Sequence, residues 1–173
     1  MKSKGLTLLI TGEGKGKTTA AMGQALRAVG HGQNVYVVFF MKGRDYGEYK
    51  AFQQLRGIKA VKAGRDSFVN KENPDPVDVK MAGEGFNKAK EADMSGHYQM
   101  VILDEINVAV DFGLINLQDV LELIYKKPPE VHLILTGRYA PQELINAADT
   151  VSEIREVKHH YSSGVEAQLG IEY

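Results

Sequence analysis

The 173-residue sequence has no cysteine and no tryptophan, and its formal net charge is only −1. Without cysteine the chain has no disulfide, no thiolate metal site and no cysteine nucleophile. With so small a net charge it lacks the basic field that holds nucleic acid without sequence preference, so we expect no nucleic-acid partner.

No apolar run approaches membrane-spanning length, and the first one, residues 6–11, is too short for the apolar region of a signal peptide. These absences predict a soluble cytoplasmic protein with no membrane partner. The length predicts a single domain over residues 1–173.

A glycine-rich segment stands between an apolar run and an alanine-rich one. Residues 12–19 read GEGKGKTT, after the apolar residues 6–11 and before residues 20–26. Glycines let backbone amides approach phosphate oxygens closely, and the start of a helix favours negative charge. The segment therefore predicts a phosphate-binding loop. Its predicted ATP ligands are Gly12, Glu13, Gly14, Lys15, Gly16, Lys17, Thr18 and Thr19.

Two residues of this loop have defined roles in the prediction. Lys17 would reach the terminal phosphates, and the Thr18 hydroxyl would ligate Mg²⁺. The usual pattern places its first glycine at position 11, where this chain has Thr11, and Gly12 comes one residue late. The alternative is a glycine-rich turn that leads into a helix whose lysines face solvent.

Apolar β-rich runs alternate with helical patterns along the rest of the chain. The predicted strands are residues 6–11, 34–41, 58–63, 99–104, 131–136 and 150–157. Helical periodicity begins at Val79 and at Leu117, with Asn116 as the N-cap of the latter, and Pro141 suits the first turn of a short helix. This alternation predicts an α/β fold with a mainly parallel central sheet and helices on both faces.

Charged side chains follow three of the buried strands. Asp104 and Glu105 close the run at residues 100–103, and carboxylates at the carboxyl end of a parallel strand lie at the ligand-binding edge of the sheet. Beside a phosphate loop they are predicted to hold Mg²⁺ together with Thr18; the alternative is a solvated strand end. Arg138 and Lys42 also follow strands, and each predicts either a contact to ligand charge or a salt bridge to a neighbouring acid.

Two segments of the chain lie outside the predicted strands and helices, and its histidines form no predicted site. Residues 64–76 form a long polar loop, which is typical either of a binding loop or lid or of a mobile segment. The tail, residues 161–173, either packs over a site or frays. Because adjacent strand residues point to opposite faces, His159 and His160 are not expected to act as a pair of ligands, and none of the five histidines is assigned to the chemistry.

These residues resemble the ATP:corrinoid adenosyltransferases of the phosphate-loop type, which share the displaced glycine at Gly12. The resemblance covers nearly the whole chain, and its end, with Gly170-Ile171-Glu172-Tyr173, is its most distinctive part. The matching segments are residues 11–21, 27–32, 40–43, 103–107, 135–138, 148–154, 157–159, 164, 167 and 170–173.

The resemblance implies a fold of the phosphate-loop, RecA-like kind and an unusual use of ATP. Cobalt(I) of a reduced corrinoid attacks the 5′-carbon of the ribose, and the whole triphosphate leaves. Cobalt(I) is already a strong nucleophile, so no general base is expected and no catalytic residue is assigned. The implied partners are ATP, a corrinoid, a reductant for cobalt and a second copy of the chain. In this family, a pair of aromatic residues that includes tryptophan lies in the loop after the third strand. The matching residues 65–69 of this chain contain one aromatic residue, Phe68, which is predicted to contact the corrinoid without a second aromatic partner.

Two other kinds of function are left open by the residues themselves. Glu105 follows Asp104, a placement that suits orientation of water in an ATPase, and a small-molecule kinase is the related possibility. A nucleotide-dependent switch or corrinoid carrier would bind the same ligands without turnover. Product identity separates the three: triphosphate, ADP, or none.

Overall fold

The computed structural model describes residues 4–44 and 46–173, in which strands and helices alternate from one end to the other. The strands are β1 Thr7–Thr11, β2 Val35–Phe40, β3 Ile58–Ala63, β4 Met100–Asp104, β5 His132–Thr136 and β6 Thr150–Glu153. The helices are α1 Lys17–Gly30, α2 Gly47–Phe52, α3 Pro76–Met94, α4 Ile106–Asp111, α5 Leu117–Lys126 and α6 Gln142–Ala147. A 3₁₀ helix, His160–Ser163, lies in the tail.

The strands form one sheet in the order β3-β2-β4-β5-β1-β6, and every pair of neighbours is parallel. Side chains that alternate along β1 to β5 enter two separate cores, whereas β6 is exposed along its length. One core lies against α3, α4, α5 and α6, and the other lies against α1 and α2. All six residues of β2 are buried, as expected for a strand covered on both faces. The predicted α/β fold, with its parallel sheet and two helical layers, is confirmed.

The strand order determines which chain segments meet at the carboxyl edge of the sheet. β5 lies between β1 and β4, so the ends of these three strands are close neighbours, and β2 lies on the far side of β4. The loop after β1, residues 12–16, therefore shares this edge with the residues that follow β2, β4 and β5. Every charged residue that the sequence placed after a buried strand reaches this one edge.

Most predicted elements are present with shortened ends, and one strand prediction is wrong at its end. β6 stops at Glu153 rather than at Val157. The Ile154 amide still donates to Thr11, but the Ile154 carbonyl accepts a bond from the Gly14 amide over 2.7 Å. The chain leaves the sheet there because its next backbone group binds the loop after β1.

Helix boundaries follow local capping. The Asn116 side chain accepts from the Gln118 amide at the start of α5, as predicted, and Asp75 caps α3 in the same way before Pro76. Pro141 is the N-cap of α6 and precedes its first turn. Among the described residues, no helix is both long and apolar enough to cross a membrane.

Candidate nucleotide-binding site

The loop between β1 and α1 is held open by glycines that no other residue could replace without strain. Gly12 and Gly16 have φ angles of +97° and +117°, in the left-handed region. A Cβ atom on Gly12 would lie 2.5 Å from the Ile154 carbonyl oxygen, and one on Gly14 would lie 2.8 Å from the Arg155 carbonyl carbon. The first glycine stands at position 12 here, where the loop crosses the end of β6.

Lys17 begins α1 and folds its side chain back over this loop. Its ammonium donates to the carbonyl oxygens of Gly12 and Gly14 over 2.7 and 2.8 Å, and the residue is only 7% exposed. Burial lowers the pKa of the ammonium, while Glu105 is the strongest of the nearby charges that raise it. Both hydrogen-bond acceptors that this buried cation has among the described residues are neutral carbonyls, so it is suited to exchanging them for phosphate oxygens.

Thr18, Asp104 and Lys42 meet at a point beside the loop, which we call the metal corner. The Thr18 hydroxyl donates to Asp104 Oδ2 over 3.3 Å. The Lys42 ammonium lies 2.7 Å from the same Oδ2 atom and donates to Thr18 Oγ1 over 3.1 Å. Burial tends to lower the pKa of Lys42, but the charge and hydrogen bond of Asp104 outweigh it, and the pKa is raised. Of the two predicted roles of Lys42, the structure shows the salt bridge.

Thr136 fixes the two carboxylates at the end of β4. Its hydroxyl donates to Asp104 Oδ1 over 2.7 Å and accepts from the Glu105 amide over 2.9 Å. Glu105 has φ +63°, a left-handed conformation that costs a non-glycine residue about 1–2 kcal/mol. Burial, followed by the charge of Asp104, raises the pKa of Glu105, and Lys42 opposes this. Asp104 is fully buried, whereas Glu105 lines the cavity described below.

Arg138 connects the loop after β5 to the phosphate loop. Its guanidinium donates to the Glu13 carbonyl oxygen over 3.2 Å and lies 3.4 Å from a Glu13 carboxylate oxygen. Both side chains are about half exposed, so this ion pair contributes little stability. The structure brings Arg138 to the edge of the predicted ATP site, where it lines the same cavity.

The tail closes one side of a cavity of about 700 Å³ above the phosphate loop. The Lys15 ammonium donates to the Ile171 carbonyl oxygen over 2.5 Å, which joins the loop to the end of the chain. The sequence left open whether the tail packs over a site or frays; the structure shows it packed there. The cavity wall contributed by the tail consists of His159, His160, Tyr161, Ala167, Gly170, Ile171, Glu172 and Tyr173.

The prediction that His159 and His160 point apart is wrong. They do not lie in a strand: their rings stack with centroids 4.5 Å apart, and both face Glu172. The His160 Nε2 atom is 3.1 Å from Glu172 Oε1, and that of His159 is 3.8 Å away. His159 Nδ1 accepts from the Tyr161 amide, which leaves the proton of the neutral ring on Nε2 and disfavours a metal at that atom. The three residues hold the tail together.

Phe68 lies apart from these residues. It is fully exposed and does not line the cavity. Its loop is anchored on either side: Arg65 forms two bonds to Asp78, of 2.7 and 2.6 Å, and Lys71 pairs with Asp111 over 2.7 Å. Phe68 thus projects from a tethered loop, and its contact with a corrinoid stays a prediction.

The oxygen atoms of the metal corner, together with the carboxylate of Glu105, which follows Asp104 in the chain, suit Mg²⁺. A threonine hydroxyl and two carboxylates are hard oxygen ligands, which this ion prefers over nitrogen and sulfur. Asp104 Oδ2 already contacts one cation, the Lys42 ammonium, at 2.7 Å. Thr18, Asp104 and Glu105 are therefore the residues that would hold Mg²⁺, and the ion would have to share or take over the place of that ammonium.

The fold and the loop together place the chain in the class of phosphate-loop nucleotide-binding proteins. Comparison with known sequences narrows this class. Residues 3–173 match the family described as ATP:corrinoid adenosyltransferase BtuR/CobO/CobP. The chain belongs to this family, as the resemblance of its motifs predicted.

Individual relatives align over nearly the whole chain. The chain is 36% identical over 170 residues to the corrinoid adenosyltransferase of Escherichia coli K12, with 98% of this chain and 86% of that protein covered. It is 37% identical over 173 residues to the corrinoid adenosyltransferase CobA of Salmonella typhimurium, with 99% and 87% covered. It is 34% identical over 171 residues to the corrinoid adenosyltransferase of Pseudomonas aeruginosa, with 98% and 84% covered.

Proposed function

We propose that this protein transfers the 5′-deoxyadenosyl group of ATP to cobalt(I) of a corrinoid and releases inorganic triphosphate. The observation that carries the proposal is the family match over residues 3–173, which includes both the phosphate loop and the tail that closes the same cavity. The relatives named above are corrinoid adenosyltransferases, and the alternative of an ATPase or kinase is not favoured by them.

The electron balance of this reaction decides what the protein must supply. Cobalt(I) donates an electron pair to the 5′-carbon, a cobalt–carbon bond forms, and the carbon–oxygen bond to the triphosphate breaks with its pair on the leaving group. No proton is transferred, so a general base is not needed. The protein has to align C5′ and stabilise negative charge on the departing triphosphate.

The described residues are suited to the second task. The start of α1, the loop amides and Lys17 would bind phosphate oxygens, and Arg138 lies at the rim of the same cavity. Thr18, Asp104 and Glu105 would hold Mg²⁺, which when bound neutralises part of the phosphate charge. Lys17 would exchange its two carbonyl contacts for phosphate oxygens at no cost in side-chain desolvation, because it is already buried.

The tail offers apolar surface for a corrinoid near this cavity. Three of its large side chains line the cavity and are about half or more exposed: Tyr161, Ile171 and Tyr173. A corrinoid is a broad ring with a largely apolar face, and such a surface would bury part of it. Phe68 is the other candidate contact. A reductant for cobalt, a homodimer and a cytoplasmic location stay predictions.

Anaerobic incubation with chemically reduced cob(I)alamin, Mg²⁺ and ATP tests the proposal. The corrinoid absorption spectrum should change to that of the adenosylated form with the protein and not without it. Lys17→Ala should slow this by roughly 10²–10³-fold, the usual cost of losing one charge-stabilising contact in a water-poor site. Lys88→Ala, on an exposed part of α3, is the matched control and should react at the wild-type rate. An unchanged spectrum with folded wild-type protein would contradict the proposal.

A further inference from the structure

Lys42 occupies the position between two predicted Mg²⁺ ligands. Its ammonium donates to both Thr18 Oγ1 and Asp104 Oδ2, over 3.1 and 2.7 Å, and those two oxygens are themselves 3.3 Å apart. Only 15% of its side chain is exposed, and Asp104 is fully buried. A divalent ion cannot reach Asp104 Oδ2 without competing with this ammonium.

The backbone that carries Lys42 is fixed in place by close packing. Lys42 follows Met41, which has φ +56°, a left-handed conformation that a non-glycine residue keeps only when its surroundings impose it. A Cβ atom on Gly64 would lie 2.7 Å from Met41 Cα, and one on Gly43 would lie 2.2 Å from the Arg65 carbonyl carbon. The ends of β2 and β3 therefore press against each other on both sides of Lys42. This packing confines its backbone, so we expect any movement of the ammonium to come from the flexible side chain.

Two aromatic rings offer the ammonium a second set of contacts. Lys42 Nζ lies 5.5 Å from the centroid of the Phe39 ring and 5.3 Å from that of Tyr46. Such contacts attract a cation without satisfying its hydrogen bonds. They add attraction for the ammonium near Asp104 without saturating its hydrogen bonds.

The charges around the corner carry a small negative excess. Three cations, Lys17, Lys42 and Arg138, face four carboxylates, those of Glu13, Glu48, Asp104 and Glu105. Addition of a divalent cation alone would leave an excess of positive charge, whereas its addition with a triphosphate would not. The balance therefore favours entry of metal and nucleotide together.

We infer that Lys42 is a resident counter-ion that blocks the metal corner until ATP arrives, and that its ammonium then moves from Asp104 to oxygens of the triphosphate. The identification of the triphosphate as the new partner of this ammonium rests on the proposed function. Blocking of the corner depends only on contacts within the protein. Lys42 thereby makes metal binding conditional on nucleotide binding.

Manganese binding, followed by the loss of the EPR signal of free Mn²⁺, tests the inference without any turnover. Wild-type protein should bind Mn²⁺ weakly in the absence of ATP. With ATP present and corrinoid absent, it should remove much more of the free Mn²⁺ signal than the same ATP removes without protein. Lys42→Met keeps an unbranched apolar side chain and removes the charge. In the absence of ATP, this variant should bind Mn²⁺ at least about tenfold more tightly than wild type. Lys42→Arg keeps the charge and should stay close to wild type. Lys59→Met, on the exposed side of the neighbouring β3, is the matched control.

The outcomes separate this inference from the proposed function. If Lys42→Met and wild type bind Mn²⁺ alone with equal affinity, the inference is wrong even if adenosyl transfer is observed. If Lys42→Met does not fold, Lys42→Gln, which keeps a hydrogen-bond donor without the charge, provides the same comparison and should also bind Mn²⁺ more tightly. If Mn²⁺ behaves as expected but no adenosyl group is transferred, the blocking role holds and the proposed reaction fails.

Discussion

Thr136 Oγ1 donates a hydrogen bond to Asp104 Oδ1 over 2.7 Å, so the ends of two neighbouring strands are joined through a single hydroxyl. The same oxygen accepts from the Glu105 amide. Thr136 thus orients one predicted metal ligand and holds the left-handed backbone of the next. Both bonds are formed between residues of the chain itself.

Removal of this hydroxyl should weaken both the fold and the metal corner. Thr136→Val keeps the shape of the side chain but leaves a buried carboxylate oxygen and a backbone amide unsatisfied. We expect the free energy of unfolding to fall by about 1–3 kcal/mol and the Mg²⁺ concentration required for activity to rise. Thr150→Val, at an exposed position of β6, is the control. Chemical denaturation and a metal titration of the same two variants check the prediction, which fails if Thr136→Val matches the control in both.

Replacement of the carboxylates should separate their roles in metal binding. Glu105→Gln keeps the shape and loses the charge that a hard cation favours, so more Mg²⁺ should be needed for half-maximal activity. Asp104→Asn should have a similar effect and should also lower the stability, because the Lys42 ammonium loses its buried partner. Magnesium titrations beside thermal melts distinguish the two variants. Titration curves that coincide with wild type for both would remove these residues from the metal site.

Phe68 should affect the corrinoid and leave the fold unchanged. Its side chain is fully exposed, so Phe68→Ala should not alter the melting temperature. If the ring contacts the corrinoid, the variant should bind cobalamin more weakly, and hydrogen exchange in residues 64–75 of wild type should slow when cobalamin is added. Equal exchange in both states, together with an unaffected Phe68→Ala, would exclude this loop from the corrinoid site.

Asp93 should give the stability a pH dependence that is unrelated to catalysis. It is fully buried in α3, and neither carboxylate oxygen has a hydrogen-bond partner among the residues that the structure describes. Burial raises its pKa from 3.8 to about 6, although Lys127 opposes this. Between these two values the folded protein holds a proton that the unfolded chain releases. This group's contribution to stability therefore falls as the pH rises from about 4 to about 6, by on the order of 2–3 kcal/mol in total.

The Asp93→Asn variant isolates this contribution because it cannot ionise. The unfolding free energy of the variant minus that of wild type should increase as the pH rises from 4 to 7. Urea denaturation at several pH values measures this difference, in which the contributions of the other acidic groups cancel. A difference that is independent of pH would show that Asp93 is not perturbed.

The sequence predicted the sheet well because buried parallel strands have a clear signature. Continuous apolar runs marked buried strands such as β2 and β4, whereas β3 is interrupted by lysines and β6 is exposed. The strand–glycine–helix pattern at residues 12–19 marked the loop. The two short helices α2 and α4 were not predicted, because each has only six residues and neither begins with a marker such as Pro141, which indicated the equally short α6. Their positions depend on packing against the sheet, as the burial of Phe52 and Ile106 shows.

The arrangement at the sheet edge was predictable only in part. Asp104, Glu105, Lys42 and Arg138 could be assigned to one edge from the strand pattern, but not to particular partners. The strand order does not explain why Lys42 rather than Arg138 contacts Asp104, because β4 borders both β2, which precedes Lys42, and β5, which precedes Arg138. The pairing of His159 and His160 with Glu172 was missed because the strand ends early and the tail turns back over the loop. A histidine pair near the distinctive Glu172 of the tail was the available signal.

Phosphorus NMR of the products tests the central claim most directly. With chemically reduced cob(I)alamin, Mg²⁺ and ATP under anaerobic conditions, inorganic triphosphate should appear in a one-to-one ratio with the adenosylcorrinoid, and ADP should not form. Omission of the corrinoid should stop release of triphosphate, because the nucleophile is then absent. ADP and phosphate formed without corrinoid would contradict the account and identify a hydrolase.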